Sequence, residues 1–205
     1  MSTEAMMPIS ADAFHYRTIL FELSKPVTIP PQIFDEIWPY VDSVYSKLQQ
    51  ELLQAYGTVR VQKYECRLRK SRKSSVAQVA DTDGKVIKRR QSSIRNANLC
   101  NVRIKVSRLV DGTAVTVERL DEHTHTHDIE ESFRIKKPSI LVGYIKSEAA
   151  KNYSASQIYH AIRSAGTREG AERLKELGGS SLKTKDIMNL KRGLGSADLG
   201  HGNCK

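Results

Sequence analysis

The apolar positions change period along the chain, and each change marks a different kind of element. From Pro31, the stretch PQIFDEIWPYVDSVYSKLQQELLQAY places Ile33, Ile37, Tyr40, Val41, Val44, Tyr45, Leu48, Leu52 and Leu53 at steps of three and four, the spacing that gathers side chains on one face of a helix. Pro39 interrupts that pattern after Trp38, so it predicts a short turn and then an amphipathic helix from about Pro39 to Tyr56, ended by Gly57. An apolar stripe of this kind suits core packing or a partner helix, and Trp38 reads as part of it.

The period then shortens to two. Thr58 to Leu68 (TVRVQKYECRL) and Cys100 to Leu109 (CNVRIKVSRL) alternate in the manner of strands, with Cys100, Val102, Ile104 and Val106 on one face and Arg103 and Lys105 on the other. Asp111-Gly112 signals a tight primed hairpin turn, and a third strand returns from Ala114 to about His123. With those two residues as the loop, Lys105 faces Glu118, Val106 faces Val117 and Cys100 faces His123.

Beyond Pro138 the helical period returns. Ile140, Leu141, Tyr144, Ile145 and Ala149 predict a helix to about Lys151. Ser154 and Gln157 form a capping box before a second helix that Gly166 stops. Thr167 opens a third helix through Leu174 and Leu177, ended by Gly178-Gly179, and Thr184 caps a fourth over 185–192. Short helices joined by glycine-containing turns fit a helix-turn-helix arrangement, with Lys183, Lys185, Asn189, Lys191 and Arg192 as donors for a groove or for phosphates.

Charge sharpens this picture. The 205 residues carry 33 Lys and Arg against 23 Asp and Glu, but the excess is local: residues 60–108 hold 15 basic and 3 acidic side chains. A field of that density suits an acidic partner, first of all nucleic acid. Two clusters, one of Arg67, Arg69, Lys70, Arg72 and Lys73 and the other of Lys85, Lys88, Arg89 and Arg90, flank an Asp81-Thr82-Asp83-Gly84 turn in a long loop at 67–99. No run of about 18 apolar residues spans a membrane and the first residues lack a secretory pattern, so a reducing, intracellular setting is expected. Three cysteines, Cys66, Cys100 and Cys204, are too few for a disulfide scaffold, and Cys204 reads as a free thiol near the terminus.

His123-Thr-His125-Thr-His127 is the least accidental feature. Alternate residues of an extended strand point the same way, so two such histidines can offer both imidazoles to one ion, and Cys66 and Cys100 supply two thiolates from neighbouring strands. Either His123 with His125 or His125 with His127 completes four ligands. A closed set of four protein ligands is structural rather than hydrolytic, because no position stays open for an activated water. Such an ion adds directly to the stability of a sheet with a small core.

These residues resemble a known family. A strand ending Tyr64-Glu65-Cys66, a second cysteine opening Cys100-Asn-Val-Arg-Ile-Lys, a turn, and His125-Thr-His127-Asp-Ile-Glu-Glu-Ser are similar to the zinc-bound β-domain of WRKY, FLYWCH and glial-cells-missing proteins, above all the version found towards the amino terminus of Mutator-like transposases and proteins derived from them. The likeness spans roughly Thr58 to Leu194, and the stretch TKDIMNLKRG resembles the segment that follows the zinc domain in those transposases. The chain departs from the pattern in lacking a WRKYGQK strand, in having Tyr64 where FLYWCH has tryptophan, and in a longer interval between the cysteines.

The resemblance implies Zn²⁺ held by Cys66, Cys100, His125 and His127, a nuclear location and a role in transcription or transposon-derived DNA binding. The expected fold is α+β: a small antiparallel zinc-bound β-sheet flanked by an N-terminal amphipathic helix and a helix-turn-helix-like C-terminal segment. The expected divisions are an N-terminal extension over 1–57, the zinc β-domain over 58–132, the helical segment over 133–193 and a flexible tail over 194–205. Duplex DNA is the expected partner, contacted by Arg60, Lys63, Arg67, Arg69, Lys70, Arg72, Lys73, Lys88, Arg89, Arg90, Arg103 and Lys105, with a protein partner for the N-terminal helix. No membrane and no small-molecule substrate is expected. Nor is an enzyme, since nothing supplies the spaced carboxylates of a transposase core. The alternative is an RNA-binding or protein-interaction module that uses the zinc sheet as a scaffold.

Overall fold

The computed structural model of the chain describes residues 11–70, 95–163 and 174–198. The architecture is α+β. Its centre is a six-stranded antiparallel sheet of β1 (Val27–Ile29), β2 (Tyr45–Lys47), β3 (Leu52–Gln54), β4 (Val59–Cys66), β5 (Arg103–Leu109) and β6 (Val115–Arg119), in the order β1-β6-β5-β4-β2 with β3 also paired to β4. Helices α1 (Ala11–Glu22) and α2 (Pro31–Ile37) precede β2. Helices α3 (Ile129–Ile135), α4 (Ser139–Ala150), α5 (Ala155–Arg163) and α6 (Thr184–Asp198) follow β6. No helix of the described residues is long and apolar enough to cross a membrane.

The hairpin register is the expected one, with Lys105 opposite Glu118 and Val106 opposite Val117. The ladder stops at Ile104 and Arg119, however, so Cys100 and His123 do not pair as strand neighbours. Asp111 keeps a negative φ, and only Gly112 takes a positive one, at 75°. The connection is therefore not a primed two-residue turn. Instead, the Asp111 carboxylate accepts from the N–H and hydroxyl of Thr113.

The segment from Pro39 to Tyr56 corrects the expected long helix. Pro31–Ile37 is helical and Trp38–Tyr40 forms one 3₁₀ turn, after which the chain turns into β2 and β3. The helical spacing misled because both patterns bury Val41, Val44 and Tyr45. Leu48, Leu52 and Leu53, which a helix stripe would also bury, are 39%, 45% and 63% exposed. Main-chain pairing decides the outcome: β4 offers a free edge, and β2 and β3 satisfy it residue by residue, from Tyr45 opposite Cys66 to Gln54 opposite Val59. Gly57, expected to end a helix, closes a hairpin in which Ala55 and Tyr56 also have positive φ.

Residues 11–57 are consequently not an appendage. They supply β1 to one edge of the sheet and β2 and β3 to the other, so the boundary expected at residue 57 falls inside the sheet. Trp38 is core, as expected: its ring stacks on Phe34 and on Tyr45, at centroid distances of 5.2 and 5.9 Å.

In the C-terminal third, α4 and the capping box at Ser154 and Gln157 match expectation, each of those residues accepting the other's backbone N–H. Most of the third expected helix lies outside the described residues. Its stop is described: Gly178 has φ +93°, and a Cβ there would stand 2.8 Å from the Phe133 Cβ. The fourth helix starts differently, since the Asp186 carboxylate accepts the Lys183 N–H and Thr184 is already helical. It also continues to Asp198, which corrects the expected tail for that stretch; once a helix is formed, each glycine in it costs only about 1 kcal/mol. Residues 199–205, with Cys204, lie outside the described part.

Candidate metal centre

β4 ends at Cys66, buried in the core, and Cys100 lies buried two residues before Val102, whose carbonyl accepts the Cys66 N–H at 2.9 Å. The strand pair thus places both sulfurs side by side. After β6 the chain bends at 120–122, and the Thr126 hydroxyl donates to the Leu99 carbonyl at 2.5 Å, drawing the histidine segment onto the Cys100 side. His125 and His127, two residues apart, turn to the same side and His123 stays exposed. Of the two histidine pairings the spacing allowed, the chain adopts the second. Ligand atoms of Cys66, Cys100, His125 and His127 all lie within 4.8 Å of one another, a group able to hold a metal ion.

The fit can be tested on distances. A tetrahedral ion of zinc's size, with sulfur at about 2.3 Å and nitrogen at about 2.0 to 2.1 Å, spaces its ligand atoms about 3.3 to 3.8 Å apart. Cys66 Sγ lies 3.3 Å from His127 Nε2, Cys100 Sγ 3.3 Å from His125 Nδ1, and the two ring nitrogens 3.2 Å from each other.

The protons make the stronger case. His127 Nδ1 is 2.8 Å from the Asp128 carbonyl, which only accepts, so that nitrogen carries the hydrogen. Tyr45 donates its hydroxyl to the Leu20 carbonyl at 3.0 Å, and His125 Nε2 stands 3.2 Å from the same oxygen, as donor. Both rings therefore turn a lone pair towards the same small space between two sulfurs. Two ring lone pairs and two sulfurs turned on one space are a donor set that suits a cation.

Charge behaves accordingly even before any ion is considered. The hydrogen bond between the two thiols pushes Cys66 up, with burial adding to it. That same bond, helped by His125 and His127, pulls Cys100 down towards thiolate. Burial works against a charge on His127, yet the bonds to Cys100 and the Asp128 carbonyl carry its pKa above the ordinary imidazole value. Burial and the neighbouring sulfurs raise the Tyr45 phenol, which keeps it a donor.

Sequence reasoning missed the shell around these ligands. Phe21, in the last turn of α1, lies flat on His125 with centroids 4.2 Å apart and planes 7° apart, and meets His127 edge-on. Asp128, whose carbonyl is the His127 acceptor, is the N-cap of α3; Glu130 and Glu131 sit in its first turn and Arg134 in its last, the order the helix dipole favours. The only signals for α1 were its own apolar residues, which follow no clean stripe, and it is their packing against α2 and the Trp38–Tyr40 turn that makes them structural.

The expected DNA contacts fall into three groups. Arg72, Lys73, Lys88, Arg89 and Arg90 lie outside the described residues. A second group is engaged within the fold. Arg103 pairs with Asp121 through two bonds of 2.8 and 2.6 Å, Lys105 with Glu118 at 2.7 Å, and Arg60 with Glu51 at 3.9 Å. Arg67, half-buried, donates to the Ser43 carbonyl, and its guanidinium is made less basic by burial. Arg69 and Lys70 cover the buried carboxylate of Glu65, at 3.8 and 2.5 Å. In the third group, Lys63 makes no ion pair among the described residues, and Lys183, Lys185, Asn189 and Arg192 are exposed beside or along α6, where Lys191 donates to the Tyr153 carbonyl.

The described residues on either side of 71–94 are pinned to one another. Asn98 and Leu99 N–H groups bond to the Arg69 and Leu68 carbonyls, and Arg95 reaches the carbonyls of both Arg67 and Lys70 at 2.8 Å. Cys66 and Cys100 stand immediately below that stem.

Compared with family models, curated proteins and solved structures, the chain matches none of them.

Proposed function

We propose that the chain is a zinc-dependent DNA-binding protein in which the ion is structural. One juxtaposition carries the reading: two of the four clustered side chains, Cys66 and Cys100, bracket a segment with ten basic and two acidic residues, and the stem of that segment is pinned directly above them. Two sulfurs and two nitrogens at tetrahedral spacing favour Zn²⁺. With four protein ligands the ion has no open position, so its contribution is rigidity. It fixes the two ends of the basic segment, which then offers its cations to phosphates; counterion release on binding supplies the affinity.

One observation favours the alternative of an RNA-binding or protein-interaction scaffold. Arg103, Lys105 and Arg60 already have acidic partners, so the sheet itself offers DNA few unengaged charges. A single experiment separates the two readings: selection of bound sequences from random duplex DNA, with and without a chelator, followed by a salt titration with RNA as competitor. DNA binding predicts enrichment of a sequence, its loss with chelator, and a logarithmic salt slope of several units. A flat slope, or RNA outcompeting the selected duplex, supports the scaffold.

A further inference from the structure

We propose that α1 and the metal centre form one cooperative unit, with Tyr45 and Phe21 as positioning residues that set the orientation and tautomer of His125. The inference rests on the reading that Cys66, Cys100, His125 and His127 hold zinc. It goes beyond that reading by assigning a role to a helix more than a hundred residues away in sequence from His125.

Three constraints act on the His125 ring. Its Nδ1 faces Cys100 and His127, at 3.3 and 3.2 Å. Its Nε2 lies 3.2 Å from the Tyr45 hydroxyl. Its face is covered by Phe21 at 4.2 Å. The Tyr45 hydroxyl is committed in turn, since it donates to the carbonyl of Leu20 at 3.0 Å. Leu20 lies in the last turn of α1, where carbonyls have no partner within their own helix. A single chain of hydrogen bonds therefore runs from the end of α1, through a fully buried tyrosine, to the ring nitrogen opposite the ligand atom. Because the tyrosine proton goes to Leu20, the tyrosine oxygen can only accept from His125, and Nδ1 is left with a free lone pair.

The ring of Tyr45 cannot swing away to relieve this arrangement. It is 1% exposed and stacks on Trp38, which stacks on Phe34 of α2. Phe34, Trp38, Tyr45, His125 and Phe21 form a continuous aromatic column from α2 to α1, with His125 as its one member that is also a ligand. Undocking α1 removes the stacking ring and the acceptor that fixes the tyrosine proton. His125 is then free to rotate or to take the other tautomer. Outer partners of this kind set metal affinity by about 10- to 100-fold. Linkage makes the coupling reciprocal, so bound zinc must strengthen the docking of α1 by the same factor.

The test uses the full chain in four forms: wild type, Tyr45→Phe, Phe21→Leu and, as a control in α6, which packs on α4 and α5, Ile187→Ala. Zinc affinity is measured by competition with a chromophoric chelator, ligand field by the visible spectrum of the cobalt(II) form, ring tautomers by long-range ¹H–¹⁵N spectra, and α1 docking by amide exchange with and without zinc. In wild type, His125 should coordinate through Nδ1 and His127 through Nε2. Tyr45→Phe, which keeps the ring, should weaken zinc binding about tenfold or more and shift the cobalt spectrum. Phe21→Leu should do so to a smaller extent, and Ile187→Ala should destabilise the protein while leaving both readouts unchanged. Amides of α1 should lose protection when zinc is stripped. Wild-type zinc affinity and cobalt spectrum in both Tyr45→Phe and Phe21→Leu, or α1 exchange indifferent to zinc, would overturn the coupling while leaving the metal site intact. If wild type takes up no zinc, the underlying site reading falls first and the coupling falls with it.

Discussion

The metal end of the sheet and the helical third are held by different physics. At the metal end, four polar side chains from three separate stretches of chain converge on one point; the residue that caps α3 bonds to His127 directly, and α1 is tied to His125 through Tyr45. In the helical third, Leu141, Ile145, Ile158, Ile162, Leu174, Leu177, Leu182 and Ile187 are almost wholly buried with no ligand group among them. With zinc bound as proposed, order in the first region would depend on an ion, whereas the second is held by apolar contact and by its own caps, such as the pair of Ser154 and Gln157. Removing the ion should therefore affect the two regions unequally.

The largest expected effect comes from the ion itself. Structural zinc contributes on the order of 10 kcal/mol in small domains, so Cys100→Ser should abolish stoichiometric zinc and release β4, β5 and α1 to fast amide exchange. The amides of α4, α5 and α6 should keep most of their protection. Equal loss in both regions would show that the comparison draws its line in the wrong place.

A converse experiment follows. Ile162→Ala removes a fully buried side chain from α5 and should cost about 2 to 5 kcal/mol, read by urea denaturation, with one zinc per chain retained in the folded form. Next in size is Gly178→Ala. Its φ of +93° and the 2.8 Å approach to Phe133 both oppose a side chain, and a cost of about 1 to 3 kcal/mol is expected, again without effect on metal content.

The smallest effect is expected at Asp121. The hydrogen bonds from Arg103 hold its carboxyl below the ordinary aspartate value. A depressed carboxylate contributes stability above its unfolded pKa and loses it as pH falls through the folded one. Asp121→Asn should therefore cost no more than about 1 kcal/mol at neutral pH and flatten part of the acid limb of the stability profile below about pH 4. A larger loss would mean that the ion pair does more for the sheet than a partly exposed pair can.

Legibility in the sequence followed the same division. The candidate metal ligands could be read because cysteine and histidine carry their chemistry in the side chain, and two histidines separated by one residue can turn both imidazoles to one side. The β5–β6 register could be read because Asp-Gly marks the loop and the pairing follows by counting. The stretch from Pro39 to Tyr56 could not be read, because Val41, Val44 and Tyr45 are buried in either structure and the deciding factor is the vacant edge of β4. Phe21 and Tyr45 were illegible for a related reason. Nothing local to an aromatic residue says that its neighbour in space is a histidine 80 or more positions away. Arg103 and Lys105 were placed on the correct face, but their partners Asp121 and Glu118 turned a presumed contact surface into a set of internal ion pairs.

The most direct measurement is X-ray absorption at the zinc edge on the purified full chain, combined with native mass spectrometry. One zinc per chain is expected, bound by two sulfurs near 2.3 Å and two imidazole nitrogens near 2.0 Å, with the sulfur contribution halved or the metal lost in Cys66→Ser. Protein that carries no zinc, or zinc surrounded only by oxygen and nitrogen, would contradict the site from which the fold's rigidity and its proposed function are both derived.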